Sequence, residues 1–155
     1  GFGARPNKDG INALSSGIAN TMNTPIEALE MSFPLRVNCY ELIPGSGGGG
    51  KFRGGLGARR AWTVLENNAR ASVCMERMKS PPFGIAGGGN GSPARATLKY
   101  PDGTQRALPS KGAFDVPAGG QVVLEAPGSG GYGDEAERDP THIASDRKDG
   151  YLDET

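Results

Sequence analysis

The residues with the most chemical promise gather at the entry to a short helix. Asn23, Thr24 and Glu27 offer an amide, a hydroxyl and a carboxylate. Such a set can orient a polar substrate and place charge beside it. It holds no nucleophile with a base fixed next to it, so it points to positioning, not attack. Asn20 adds a further polar group to the helix entry, where free backbone N–H groups favour an anion. A plainer role competes for two of these residues. Thr24-Pro-Ile-Glu27 has the form of a capping box, with Thr24 as N-cap, Pro25 in the first helical position and Glu27 reaching back. Glu30 would share that helix turn with Glu27.

Other candidates are weaker. Gly45 to Lys51 matches the Gly-x4-Gly-Lys half of a phosphate-binding loop, but Phe52 stands where a Ser or Thr must hold magnesium. No helix opens after it, and such a loop needs one to face the phosphates. The Gly-x-Gly-x-x-Gly at Gly45, Gly47 and Gly50 is trivial in a glycine run. Ser110 and Lys111 are adjacent, and neighbours on a strand point to opposite faces. His142 is the single histidine and lies in a charged stretch, so no Ser–His–Asp or Cys–His system is supported. Asp134, Glu135 and Glu137 read as a solvated acidic run before a helix rather than a metal site. Cys39 and Cys74 sit in apolar runs, as small buried hydrophobes do, and suggest a reducing, cytoplasmic setting. Arg53, Arg59 and Arg60 flank the first glycine run; they are solvated or hold a carboxylate. The residues by themselves thus give no metal site and no cofactor site in this chain.

The elements that must position these groups are short. The chain has 155 residues, 26 of them Gly and 12 Pro, with 35% hydrophobic residues. Its 17 basic and 17 acidic residues balance, which leaves no electrostatic footprint for nucleic acid or an anionic membrane. No apolar stretch approaches the roughly 20 residues that span a bilayer, and no signal peptide is visible. Seven strand-like runs are predicted: Arg36 to Ile43, Leu56 to Leu65, Ala69 to Met75, Ala94 to Tyr100, Thr104 to Leu108, Ala113 to Val116 and Gln121 to Ala126. Alternation in the first puts Val37, Cys39 and Glu41 on one face. Turns at Glu66-Asn67-Asn68, Pro101-Asp102-Gly103 and residues 117–120 predict three hairpins. One helix runs from Thr24 to Pro34; a second starts at Asp139-Pro140, runs to about Lys148 and is capped by Gly150. A short segment is read around Ile11 to Ile18. The fold class expected is mainly β, an antiparallel barrel or sandwich with two short helices and glycine-rich loops.

Three glycine clusters punctuate these strands, at residues 45–57, 84–93 and 127–134. They are either flexible joints or surfaces shaped by close backbone approach.

Seven motifs occur in one order along the chain. They are Gly3-Ala-Arg-Pro-Asn-Lys-Asp-Gly10, Asn20-Thr-Met-Asn-Thr-Pro-Ile-Glu27, Pro34-Leu-Arg36, Lys51-Phe-Arg-Gly-Gly-Leu-Gly57, Pro81-Pro-Phe-Gly84, Leu108-Pro-Ser-Lys-Gly112 and Pro127-Gly-Ser-Gly-Gly-Tyr-Gly-Asp134. Together they resemble the C-terminal part of the hydantoinase B/oxoprolinase family. The resemblance implies a single β-rich region, residues 1–155, like the C-terminal third of a hydantoinase B-like subunit. With no Met at Gly1, the chain is expected to be a fragment or a processed chain. The resemblance further implies part of an ATP-dependent cyclic-amide hydrolase working with a hydantoinase A-like partner. ATP with magnesium would lie on that partner, and a divalent metal in the upstream part of the hydantoinase B-like protein. Two alternatives stand beside it: a segment of an acetone or acetophenone-type carboxylase acting on a ketone, and a non-catalytic module that docks subunits. Residues expected to touch substrate are Arg5, Asn23, Thr24 and Glu27.

Overall fold

The computed structural model describes residues 1–14 and 22–152. Seven strands form where they are expected: β1 Leu35–Leu42, β2 Ala58–Val64, β3 Ala69–Cys74, β4 Arg95–Lys99, β5 Gln105–Ala107, β6 Lys111–Val116 and β7 Gln121–Glu125. Two helices flank them, α1 Ile26–Ser32 and α2 Pro140–Lys148, with a 3-10 turn at Glu135–Glu137. Five strands make one antiparallel sheet in the order β1-β2-β7-β4-β5; β3 and β6 make a second. The two sheets pack as a sandwich, and no barrel closes.

Two of the three predicted hairpins are not pairs. β2 and β3 lie in different sheets, and so do β6 and β7. Asn67 does take the left-handed turn angle, φ 57, but a turn fixes only a reversal of direction. The apolar faces choose the partner. Val64, Ala96, Leu98 and Val122 of the large sheet close on Val73 and Val116 of the small one, with Leu108 completing the core. Pairing β2 with β3 in one layer would leave those faces without a cover. The β4–β5 hairpin forms as predicted, with Gly103 at φ 85 and the Asp102 carboxylate accepting the Thr104 N–H at 2.9 Å.

β1 departs from simple alternation. Its register against β2 slips between Val37 and Cys39, a bulge at Asn38. Val37, paired with Trp62, therefore shares a face with Tyr40, paired with Arg60, while Cys39 and Glu41 take the other face. Thr63 Oγ1 donates to Asn38 Oδ1 at 2.8 Å across the irregularity.

The helices differ in how they start. α1 begins at Ile26, and its N-cap is Pro25, which makes no side-chain cap bond. Thr24 therefore does not cap, and the predicted box with Glu27 is not formed; proline takes the cap position and its ring has nothing to accept with. Glu30 instead accepts the Val37 N–H at 2.7 Å and ties the helix to β1. The helix stops at Phe33, extended at φ -136 and ψ 149 before Pro34, as the proline rule requires. α2 follows prediction closely. The Asp139 side chain accepts the Thr141 N–H at 2.8 Å, and Pro140 opens the helix. At its end Gly150, φ 69, lets Gly150 N–H reach the Arg147 carbonyl and Tyr151 N–H the Asp146 carbonyl, a Schellman closure.

The glycine clusters form no regular sheet, yet they are tightly built. Gly48 N–H donates to Ser129 O at 2.8 Å, Gly89 N–H to Gly49 O at 2.7 Å and Gly131 N–H to Gly89 O at 2.9 Å. Each cluster thus bonds to the other two. The N-terminal segment joins them, Gly55 N–H donating to Phe2 O at 3.0 Å and Ala4 N–H to Gly130 O at 2.9 Å. Gly48, Gly54, Gly128 and Gly131 lie outside the left-handed region, so alanine could adopt their backbone angles. What forbids a side chain is space. A Cβ at Gly128 would strike the Ser46 carbonyl oxygen, one at Gly54 that of Ser129, one at Gly48 that of Gly89 and one at Gly131 that of Gly49. The clusters are shaped surfaces that pack backbone to backbone, not loose joints.

Candidate functional site

Three groups of polar side chains stand around this framework. The first is a buried ionic knot that closes the glycine bundle. Arg53 from the first cluster, Arg138 and Asp146 are 7%, 9% and 5% exposed. Asp146 accepts from Arg53 Nε at 3.2 Å and Nη2 at 3.3 Å, and from Arg138 Nη2 at 2.6 Å. Arg138 also makes a two-point pair with Asp9, at 2.8 and 2.9 Å. Arg53 Nη1 donates to the Gly54 carbonyl at 2.7 Å and to Asn12 Oδ1 at 3.3 Å, and its guanidinium lies 5.1 Å from the Tyr151 ring centre. Burial pulls the Asp9 carboxyl upward, but the Arg138 hydrogen bond, the Arg53 backbone N–H and the two positive charges outweigh it and hold the group below its ordinary value. The Asp9 hydrogen bond leads in raising Arg138. Two arginines and two aspartates therefore satisfy one another. The knot is a clasp between the N-terminal segment, the bundle and α2, its charges engaged with one another.

The second group is at the entry to α1. Arg60 Nη1 donates to Asn23 Oδ1 at 2.6 Å. Its guanidinium lies over two aromatic rings, 4.8 Å from Trp62 and 5.3 Å from Tyr40. Among the described residues its Nε is buried without an acceptor. Asn23 is thus held in place by Arg60, with Tyr40 Oη 3.5 Å from Asn23 Nδ2. Thr24, Glu27 and Arg5 are exposed, and among the described residues no side-chain hydrogen bond joins them to Asn23 or to one another. Arg5 belongs to the glycine bundle, its N–H bonded to Lys8 O at 2.9 Å. Asn20 lies outside the described residues, as does the second half of the segment around Ile11 to Ile18.

The third group lines a groove of about 420 Å³ on the outer face of the five-stranded sheet. Arg59 bridges two carboxylates there, Glu125 at 2.9 Å and Glu41 at 2.9 Å. The Glu125 hydrogen bond leads in holding Arg59 charged. Lys99, Gln105 and Gln121 complete a polar wall. It offers hydrogen bonds but no nucleophile with a base.

All three arginines near the first glycine cluster thus have partners within the chain. Ser110 and Lys111 make no reactive pair; Lys111 bonds Glu76 at 3.1 Å and both are exposed. Lys51 pairs with Glu137 at 2.9 Å, and Phe52 bridges to Tyr132 in the extended bundle, so the Gly-x4-Gly-Lys run opens no helix. Among the described residues no group of three His, Cys, Asp or Glu is arranged to hold a metal ion. No described helix is long and apolar enough to cross a membrane. Asp9, Arg138 and Asp146 escape a reading of the sequence because each lies far along it from Arg53. α2 has no apolar periodicity that would mark Asp146 as facing inward.

Known proteins share this outline. The family model described as Hydantoinase B/oxoprolinase matches residues 1–135, and the chain belongs to that family. It is 36% identical over 153 residues to the B component of a putative D-/L-hydantoinase of Pseudomonas sp. strain NS671, covering 97% of this chain and 26% of that protein. It is 33% identical to the 5-oxoprolinase of Dictyostelium discoideum, over 86% of this chain and 10% of that one. Its fold matches the crystal structure of the ATP-dependent caprolactamase from Pseudomonas jessenii with a TM-score of 0.84 at 30% identity, over 97% of this chain and 27% of that one. A nucleotide-free acetone carboxylase shares the fold at TM-score 0.72 and 18% identity, over 94% of this chain and 24% of that one. The chain spans about a quarter of the hydantoinase relative and of the caprolactamase chain.

Proposed function

We propose that this chain, as a member of the hydantoinase B/oxoprolinase family, is the glycine-bundle and β-sandwich region of a hydantoinase B-like subunit. That subunit serves an ATP-dependent enzyme that opens cyclic amides together with a hydantoinase A-like, ATP-binding subunit. The observation that carries this reading is the likeness, over 97% of this chain, to about a quarter of the Pseudomonas hydantoinase component and of the caprolactamase. ATP on the partner would supply the driving force for opening an unstrained amide. The residues of this chain do not fit a nucleotide: Lys51 is paired with Glu137 and Phe52 continues an extended bundle. Their contribution is to bind and orient. Arg60 fixes the Asn23 amide at 2.6 Å, and the glycine bundle beside the sandwich supplies a rigid backbone wall. Asn23 remains the best-supported contact to substrate, with Thr24, Glu27 and Arg5 as exposed neighbours of the two surfaces.

The test uses the complete B-like subunit with its A-like partner. Hydantoin, 5-oxoproline and caprolactam are offered with and without ATP, and ring opening is followed together with phosphate release. Ring opening that requires ATP and releases phosphate in step supports the reading. ATP-dependent fixation of bicarbonate into a ketone, with no ring opening, would replace it with the carboxylase reading. Calorimetry of this chain alone with ATP should show no tight binding.

A further inference from the structure

α1 and the adjoining edge of β1 have the composition of an interface, and the described residues leave them bare. α1 has seven residues, no side-chain cap bond and no buried residue. A helix this short does not persist in water on its own hydrogen bonds; it needs a packed face. Yet Met31 is 89% exposed, Phe33 56% and Ile26 38%, and Tyr40 on β1 is 53% exposed. The one acidic group most able to break up this patch, Glu30, is turned onto the Val37 N–H. Beside the patch Arg60 stacks on Tyr40 and Trp62. Methionine, aromatic rings and an arginine anchor with few free charges are what the centres of protein interfaces use. The other surfaces differ. The outer sheet face pairs its own charges through Arg59. The glycine bundle satisfies its own backbone. Phe83 and Ile85 are exposed on the bundle, 66% and 55%, but among the described residues no arginine stacks on the Phe83 ring.

We propose that this face docks against the region of a hydantoinase B-like subunit that the present chain does not span. That region would present an apolar depression to Met31 and Phe33. The inference rests on the reading above for the identity of the partner. The relative lengths support it: the hydantoinase relative matches 97% of this chain with only 26% of its own length, so a body larger than this fold is available in that protein to cover a bare face. The α1 face gathers exposed Ile26, Met31, Phe33 and Tyr40 on one helix and its neighbouring strand.

Peroxide footprinting tests the proposal, with methionine oxidation read by mass spectrometry. It compares this chain alone with the assembly that contains the remaining B-like region but no A-like subunit. Met31 should oxidise freely in the chain alone and be protected more than tenfold in the assembly, while half-buried Met75 and Met78 change little. The double substitution Met31→Glu with Phe33→Asp should weaken that assembly more than tenfold and leave the melting temperature of the chain alone unchanged. Three results would overturn the proposal: full reactivity of Met31 in the assembly, protection that rises with the concentration of the chain alone (a second copy), or protection only when the A-like subunit is added. Because none of these readouts needs turnover, an enzyme that fails to open cyclic amides would remove the functional reading without touching this one.

Discussion

The sandwich and the glycine bundle lie in one small chain and are held together by opposite means. In the sandwich, side chains do the work. Leu98 and Val116, each 1% exposed, are clamped between sheets, and the backbone is spaced by strand ladders. In the bundle the side chains have been removed so that backbones can touch. Gly48, Gly49, Gly89, Ser129 and Gly131 bond carbonyl to amide across three segments far apart in sequence. Apolar burial stabilises the first region; in the second, hydrogen bonds and dispersion between close-packed backbones must serve, with a buried ionic knot closing the end. The lesson is that a high glycine content can mean rigidity as readily as slack. The sign depends on whether a Cβ would meet solvent or another backbone.

That contrast can be broken most forcefully at the knot. Asp146→Ala leaves Arg53 and Arg138 buried without their shared acceptor and should cost about 3–5 kcal/mol. Urea unfolding followed by amide exchange should show the loss first at Gly48, Gly89 and Gly131, with Trp62 in the sandwich responding later. A simultaneous loss at Trp62 would mean that the two regions unfold as one unit. The matching probe of the sandwich is Leu98→Ala, expected to cost about 2–5 kcal/mol through the cavity it leaves, with the order of loss reversed.

Gly54→Ala sharpens the comparison at smaller amplitude. The added methyl meets the Ser129 carbonyl, so the change should destabilise by about 1–3 kcal/mol, although alanine is ordinarily the better residue. Gly103→Ala is its control: nothing lies within 4 Å, and only the φ of 85 opposes the change. If Gly54→Ala were neutral or stabilising, close backbone packing would not be what holds the bundle.

Acid should separate the regions more gently. The Asp9 carboxyl is held below its ordinary value of 3.8 in the folded chain. Its contribution is therefore fully present above that value and is lost as pH falls through the lower, folded value. Exchange in the N-terminal segment should rise below about pH 4 before the sandwich loosens; Asp9→Asn should flatten that dependence. The smallest effect is expected from Glu27→Gln. With no capping box formed, stability should change by less than about 0.5 kcal/mol. Any sizeable fall in turnover of the complete enzyme would then assign Glu27 to substrate.

Much of the local architecture was legible. Proline and asparagine signals placed the turns, alternation and turn spacing placed all seven strands, and Asp139-Pro140 with Gly150 framed α2. These features are set by a few neighbouring residues, so a linear reading reaches them. Thr24 shows the limit even there, because Pro25 satisfied the pattern of a capping box while itself taking the cap position.

The sequence by itself determined the strands, the turns, the glycine clusters and, through ordered motifs, the family. The tertiary structure alone decided which strands pair, since β2 finds β1 and β7 and β3 finds β6 by matching apolar faces across long separations. It alone showed that the clusters pack on one another, and that Asp9, Arg53, Arg138 and Asp146 form one knot. The physical reason is the same in each case. A glycine, a strand edge or a buried charge says what it needs, a close backbone, an apolar cover or an opposite charge, but nothing in its own neighbourhood says which distant segment will supply it.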